Sequence, residues 1–418
     1  MTTANNETPA ARAADLQDER LIREEGLIGA ARAFGRRVRA GDLGSLPVVI
    51  GLVLIWAIFQ ILNQNFLSAN NLVNLSIQCA AGGTIAIGVV LVLLLGQIDL
   101  SIGSVSGLAS AILGVTFVQL HWPLVFAILG ALAAGAVIGL IYGFLFTRFG
   151  VPTFVITLAG LLAFLGLQLW VLGANGTINL PYTSWIVQFT TSIFLPPWLA
   201  YALAALAVIG MAGSDMLRAR RRAQAGLSTG SRTIMLIKAV LLLALLVIVV
   251  AYLATDRGIA ISFLLFVVLV MITNFFLTRT RWGRSVYAVG GNVEAARRAG
   301  IKVNRIYISV LMFGSLFAAL GGLLAAGRLT AASISSGGGD VNLNAIAAAV
   351  IGGTSLFGGR GSAWSALLGV VVIQSISSGL TLLSLDSSVR YMVTGAVLLL
   401  AVIIDSLSRR SRASHGQA

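Results

Sequence analysis

Long apolar segments joined by short polar ones make up most of this chain of 418 residues. No Asp, Glu, Lys or Arg occurs from Leu43 to Ile98, from Leu100 to Thr147 or from Phe149 to Ser214. Since a membrane-spanning helix needs about 20 apolar residues, each of these stretches holds two or three such helices. The apolar residues are continuous rather than alternating, which excludes a transmembrane barrel. The pattern therefore predicts an all-α polytopic membrane protein.

The limits of the apolar segments predict ten to twelve transmembrane helices, two of them broken or re-entrant. The tenth candidate span is short enough to be a re-entrant element. The candidate spans are 46–63, 74–95, 101–119, 123–147, 153–173, 196–213, 234–254, 258–278, 305–327, 343–357, 362–382 and 391–408.

Polar sequence flanks and interrupts the transmembrane region 43–408. Residues 1–42 form a charged N-terminal arm without the early apolar segment of a signal peptide. Apolar residues at helical spacing among arginines in 27–38 favour an amphipathic helix on the membrane surface, and a disordered arm is the alternative. The other polar segments are the loops 214–233 and 279–304 and the tail 409–418.

Composition and charge agree with this prediction and add an orientation. Charged residues make up 10% of the chain, against about 25% in soluble domains. If the N-terminus is cytoplasmic, 25 of the 28 Lys and Arg residues lie inside, and Arg257, Arg328 and Arg390 lie outside. The positive-inside rule predicts such a bias, so both termini are expected in the cytoplasm. Because the net charge of +14 is spread over these loops, no nucleic-acid partner is predicted.

Two Gly-rich polar segments interrupt the apolar pattern, one in each half of the chain. They are GQIDLSIGS, Gly96 to Ser104, and GGTSLFGGRGS, Gly352 to Ser362. Paired interruptions of this kind indicate broken helices and an internal repeat. The glycines expected to break the helices are Gly96, Gly103, Gly352, Gly353, Gly358 and Gly359.

Asp99 is the only charged residue between Leu43 and Thr147. A helix cap is the favoured interpretation, because its carboxylate precedes Leu-Ser-Ile-Gly-Ser and would accept backbone N–H groups. A direct role in binding substrate or an ion is the second interpretation, with Ser101 beside it, since carboxylates inside membranes usually have a function. A loop at the membrane face is the third.

Four neutral polar residues near predicted span ends are candidates for a sugar path, because amides match hydroxyl groups without burying charge. For each one taken alone, a hydrogen bond between helices is the stronger interpretation. The four are Asn74, Gln78, Asn342 and Asn344.

Residues for catalysis or metal binding are scarce. The chain has two histidines, His121 and His415, and one cysteine, Cys79, so neither a metal cluster nor a disulfide is predicted. Neither Lys238 nor Lys302 stands in the Gly-Lys-Ser or Gly-Lys-Thr of a phosphate-binding loop. The chain is therefore predicted to be no enzyme and to hold no cofactor. If ATP drives it, the motor is another polypeptide.

The segment GGNVEAARRAG, Gly290 to Gly300, predicts a short polar helix over 292–300 between two hydrophobic segments. Asn292 is a good N-cap, Glu294 suits the first turn and Gly300 suits a left-handed C-terminal cap. Two turns are too short to be stable alone, so a partner is expected to pack on this helix, with glycine hinges at its ends. A plain solvated loop is the alternative.

Three segments resemble the ribose/xylose-type permease subunits of bacterial ABC sugar importers. GRSVYAVGGNVEAARRAGI, Gly283 to Ile301, is similar to the coupling-helix region of that family. Gly96–Ser104 and the stretch Leu343 to Ser362 are similar to two further motifs, and the resemblance covers about residues 46 to 408. The Arg-rich loop Arg218–Arg232 makes the chain most like the xylose permeases, although that family often has acidic residues where Asn342 and Asn344 stand here.

The resemblance implies a type II ABC-importer-like permease fold and a homodimer in the bacterial cytoplasmic membrane, surrounded by lipid. An extracytoplasmic binding protein would deliver a monosaccharide, with xylose favoured over ribose. A separate ATPase subunit would hold ATP and Mg. That ATPase would dock on the family's EAA loop, whose residues here are Gly290, Gly291, Asn292, Glu294, Ala295, Ala296, Arg297, Arg298 and Gly300.

Two other classes of function remain open from the residues alone. A stand-alone ion-coupled sugar carrier would need a titratable site inside the membrane, for which Asp99 is the candidate. A structural membrane scaffold would need neither a docking helix nor such a site.

Overall fold

The computed structural model describes residues 46–225, 232–389, 391–397, 399–400 and 403. The predicted arm 1–42, the tail 409–418, most of the candidate span 391–408 and part of the Arg-rich loop lie outside these residues. The described chain divides into two compact units, one of residues Leu195–Gly258 and one of the segments up to Phe194 and from Ile259 onward. The larger unit contains all the candidate site residues.

Helices form nearly all the regular structure of the described residues, which confirms the predicted all-α class. In chain order the elements are α1 Leu46–Leu62, α2 Ala69–Leu94, α3 Ile102–Gly114, α4 Leu124–Phe149, α5 Thr153–Leu172, β1 Thr177–Asn179, α6 Trp185–Thr191, α7 Pro197–Gln224, α8 Arg232–Leu253, α9 Ile261–Arg279, α10 Arg281–Gly291, α11 Val293–Arg298, α12 Val303–Leu329, β2 Ala331–Ser333, α13 Val341–Ile351 and α14 Trp364–Leu382.

Nine helices of the described chain are long and apolar enough to cross a membrane. Helix α3 reaches that length through a π-helical turn, Val115–Gln119, at its end. Helices α1 and α13 are apolar but shorter. The count within the described residues therefore agrees with the expected ten to twelve crossings only if one or both short helices are included.

Helix α2 is the centre of the larger unit. It packs against α9, α12, α13 and α14, and most of its side chains are buried. Its run of small residues lets neighbouring backbones approach, as where Gly88 meets the carbonyl of Gly314 in α12.

Helices α4 and α12 pack through a stripe of small residues. Gly135, Gly139 and Gly143 of α4 are four residues apart and face the backbone of α12. A Cβ on Gly143 would lie 2.6 Å from the Cα of Ile308, so a larger residue would push the helices apart. Close backbone approach of this kind is a main source of helix association in membranes.

Non-helical backbone passes through the bundle before α13. Strands β1 and β2 pair antiparallel, with Thr177 opposite Ser333, and the chain then follows α3. Gly337 packs against Gly103, and the carbonyl of Ser336 packs against Gly107. Ala332 is buried in this segment, whereas Ile334 and Ser335 are exposed, so the irregular backbone packs on α3 with one side and leaves the other open.

Three predicted boundaries differ from the structure. The span 196–213 continues as α7 to Gln224, because 214–224 is rich in Arg, Ala, Leu and Gln, which favour helix although they are not all apolar. The span 343–357 ends at Ile351 as α13, where the glycines after it stop the helix. The predicted loop 279–304 contains α10 as well as the expected short helix.

Candidate functional site

Helix α11 is a six-residue helix in the predicted coupling segment. The Oδ1 atom of Asn292 accepts the N–H of Ala295 at 2.9 Å, and Gly300 follows the helix with a φ of +80°. Glu294 and Arg297 form an exposed ion pair at 2.6 Å, and Ala296 is the buried residue of the helix. The helix therefore presents a polar surface and has little packing of its own.

Helix α10 connects this short helix to the bundle. The indole N–H of Trp282 donates to the hydroxyl of Ser309 in α12 at 2.8 Å. The hydroxyl of Tyr287 donates to the carbonyl of Gly361 at 2.9 Å, and burial raises the pKa of Tyr287. Val286 and Val289 are completely buried on the same helix. Helix α10 is thus a strut fixed at several points.

The end of α10 meets both Gly-rich interruptions, and we call Gly96, Gly290, Gly358 and Gly359 the glycine junction. The N–H of Gly359 donates to the carbonyl of Leu94 at 2.8 Å. A Cβ on Gly358 would lie 2.7 Å from the carbonyl oxygen of Gly290 and 2.8 Å from the nitrogen of Gly96. Gly96 and Gly358 also have φ values of +68° and +83°, which favour glycine.

The two glycines before the coupling helix, which were expected to form a hinge, lie within a regular helix. Gly290 and Gly291 are the last residues of α10, so a regular helix extends to Asn292. A Cβ on Gly290 would collide with the carbonyl of Leu94, whereas Gly291 faces open space. The small residue at 290 therefore permits close packing rather than bending.

Asp99 anchors the first interruption. Its Oδ1 atom accepts the N–H of Ser101 at 2.8 Å and the hydroxyl of Ser101 at 2.7 Å. That hydroxyl in turn accepts a hydrogen bond from Tyr142 of α4 at 2.8 Å. Helix α3 begins at Ile102, so Asp99 binds a backbone N–H just before the helix instead of occupying the cap position itself.

Asp99 and Ser101 are both buried, Asp99 with 4% of its surface exposed. The Oδ2 atom of Asp99 has no partner among the described residues. Thr157 and Thr153 of α5 complete the surroundings by bonding to Leu100 and Gln97. The interruption is therefore held in place by α4 and α5.

The four amide residues that were candidates for a sugar path do not lie together in the structure. The Nδ2 atom of Asn342 donates to the carbonyl of Leu100 at 2.6 Å and joins the start of α13 to the first interruption. Asn344 donates to the carboxylate of Asp340 at 2.8 Å, within its own turn. Asn74 and Gln78 lie on α2 at its other end. For Asn342 the structure thus has the hydrogen bond between elements that was the stronger interpretation.

Sequence reasoning missed Tyr142, Tyr287 and the helix that carries Tyr287. Tyr142 lies 41 positions from its partner Ser101, and Tyr287 lies 74 positions from Gly361, so no local pattern connects them. Helix α10 did have a signal, because Trp282, Val286 and Val289 recur at helical spacing in a polar segment. Among the described residues, no group of three His, Cys, Asp or Glu side chains could hold a metal ion.

The chain is similar to sugar transport permeases from several bacteria. The chain is 38% identical over 346 residues to the xylose transport system permease protein of Escherichia coli K12, covering 82% of this chain and 87% of the relative. It is 34% identical to the xylose permease of Haemophilus influenzae, covering 90% and 99%, and 32% identical to the ribose import permease of Bacillus subtilis, covering 87% and 94%. No solved structure matches the chain.

These relatives are named as transport permeases and not as enzymes. A family model described as the permease component of the branched-chain amino acid transport system matches residues 71–402. Because this match spans most of the chain, we conclude that the chain belongs to that family of transport-system permease components.

Proposed function

We propose that this chain is the permease subunit of an ATP-driven importer that passes a monosaccharide, xylose in particular, through the bacterial inner membrane. The observation that carries the proposal is the exposed helix α11 on its rigid strut, in a chain 38% identical to a xylose permease. An extracytoplasmic binding protein supplies the sugar. A separate ATPase subunit holds ATP and Mg, and two copies of the permease enclose the path within the lipid.

The packing of α10 supports a mechanical role for α11. A push on α11 reaches α10 through the single residue Asn292 between them. Helix α10 is tied to Ser309 and Gly361 and touches Leu94, so it moves as a body with those contacts rather than bending. Packed interfaces transmit small shifts because they switch between discrete arrangements.

The glycine junction directs that movement to the broken elements. One side of the junction continues into α3 through Gln97 to Ser101, and the other connects to α13 and α14. Asn342 joins the two sides again at Leu100. A rotation of α10 therefore acts on both interruptions at once, which is what opening and closing a path between them requires.

Charge has a smaller part in the docking. Arg297 already pairs with Glu294 inside α11, and both side chains are more than half exposed. Exposed pairs contribute up to about 1 kcal/mol, so shape and packing of the helix against the ATPase matter more than Arg297 and Arg298. The excess of basic residues in the same segment supports a cytoplasmic position for α11.

Uptake in sealed proteoliposomes tests the proposal. The chain is reconstituted with and without its ATPase and binding protein, with ATP inside, and labelled xylose and ribose are offered outside. Uptake that requires all three components and ATP is the expected result, with xylose preferred. Uptake by the chain alone under an imposed ion gradient would contradict the proposal and support a carrier that uses Asp99.

A further inference from the structure

A line of partly exposed residues runs along the otherwise buried central helix. From Val73 to Leu94 every residue of α2 is buried except Asn74, Gln78 and Gly82. These three are four residues apart and so lie on one face, one above the other. Gln78 is sixteen residues from Leu94, about 24 Å along the helix, and hence far from the glycine junction.

Two polar side chains from other helices reach the same level of α2. The Nε2 atom of Gln374 in α14 lies 3.4 Å from where a Cβ on Gly82 would be. The guanidinium of Arg328 in α12 lies within electrostatic range of Cys79, the neighbour of Gln78. Gly314 of α12 packs on α2 at Gly88, and Gly321 packs at Ala81 and Ile85, so the two helices run in opposite directions. Two turns beyond Gly321, Arg328 is therefore at the level of residues 74–78 of α2.

These polar groups have no internal use in the described structure. Gln78, Gln374 and Arg328 are half-buried, and none has a hydrogen bond or ion pair with another described residue. Arg328 lies in the last turn of α12, on the predicted outer side of the membrane, where a guanidinium without a partner among the described residues faces water or a ligand. Two amides that donate and accept, and a guanidinium with five donors, match the hydroxyl groups of a sugar.

We propose that Gln78, Gln374 and Arg328 form a binding subsite for a neutral monosaccharide, with Gly82 leaving room for the sugar ring. The inference rests on the proposed function, because it gives the sugar a first position in the bundle on its way to the interruptions. The amides contact hydroxyl groups without charge, and Arg328 sets the orientation. Neutral partners on two of the three helices favour a sugar over a sugar acid.

Chemical modification of Gln374→Cys tests the subsite without any transport. The full chain in lipid nanodiscs is treated with a small, uncharged, water-soluble methanethiosulfonate. The unaltered chain gives the background, since its single cysteine is buried. Val137→Cys is the control for a side chain that is exposed but on the apolar outer face of α4. Gln374→Cys is expected to react much faster than Val137→Cys, because thiols react as thiolates in water.

Protection by sugar then identifies the ligand. D-xylose at high millimolar concentration should slow the reaction of Gln374→Cys about threefold, the factor that two-thirds occupancy produces. Adding Arg328→Met should abolish this protection, so that the rates with and without D-xylose become equal within the double variant. An unchanged melting temperature shows that the double variant is folded. Sucrose is the osmotic control.

Three results would overturn the inference. Equal rates for Gln374→Cys and Val137→Cys would mean that no water reaches the subsite. An unchanged rate in D-xylose would mean that no sugar binds there, and protection by D-xylonate alone would mean that the ligand is an anion. None of these depends on the ATPase, so the proposed import function could still hold in each case.

Discussion

At the scale of single residues, Gly290 and Gly291 distinguish packing from flexibility. Gly290→Ala places a methyl group against the carbonyl of Leu94, whereas Gly291→Ala points into open space. We expect Gly290→Ala to lower ATP-driven uptake about tenfold or more, since overpacking costs about 1–3 kcal/mol and displaces α10. Gly291→Ala should retain most uptake. Equal loss in both variants, measured at equal amounts in the membrane, would favour a hinge.

Asp99 allows a second comparison at this scale. Asp99→Asn keeps an oxygen that accepts the N–H and hydroxyl of Ser101, so we expect ATP-driven uptake to persist with a small drop in melting temperature. Asp99→Leu removes the acceptor, leaves the buried N–H of Ser101 unpaired and should destabilise the chain by about 1–3 kcal/mol. Loss of uptake in a fully folded Asp99→Asn variant would instead indicate that the charge itself takes part in transport.

At the scale of elements, the contact between α4 and α12 depends on missing side chains. Gly139→Ala would bring a Cβ to 2.6 Å from the Cα of Met312, while Gly130→Ala on the same helix meets nothing. We expect the first variant to lower the melting temperature in detergent. The second should leave it equal or slightly higher, because alanine favours helix over glycine by about 0.5–1 kcal/mol. Similar melting temperatures would show that the two helices do not depend on close contact.

Helix α10, which connects α11 to the bundle, gives a prediction of its own. Tyr287→Phe removes the hydrogen bond to Gly361, worth about 0.5–1.5 kcal/mol, and leaves the half-buried ring in place. The variant should still bind the ATPase, but it should move less sugar for each ATP hydrolysed. Measuring uptake and hydrolysis in the same proteoliposomes separates this loss from reduced assembly. An unchanged ratio would show that the contact with Gly361 does not transmit movement.

At the scale of the whole molecule, local rules account for the helices and their approximate limits but not for their meeting points. Apolar run length predicts the spans, and the N-cap and C-terminal glycine of α11 follow from Asn292 and Gly300. The glycine junction joins residues near 96, 290 and 358, and no local periodicity connects them. Helix α7 is longer than its apolar segment, and run length could not predict this either. Hydropathy indicates which residues lie in the membrane, whereas helix propensity decides where the helix ends.

The orientation and the docking surface can be tested together on the whole chain. Positive-inside bias places Glu294 in the cytoplasm and Asp256 outside, so a membrane-impermeant maleimide should label Asp256→Cys in intact cells and Glu294→Cys only after permeabilisation. Because the unaltered chain has one buried cysteine, the background is low. Adding the ATPase subunit should then protect Glu294→Cys but not Asp256→Cys, since α11 exposes Glu294 on the surface that the ATPase would cover. Labelling of Glu294→Cys in intact cells would reverse the topology, and undiminished labelling with the ATPase bound would place the docking surface elsewhere.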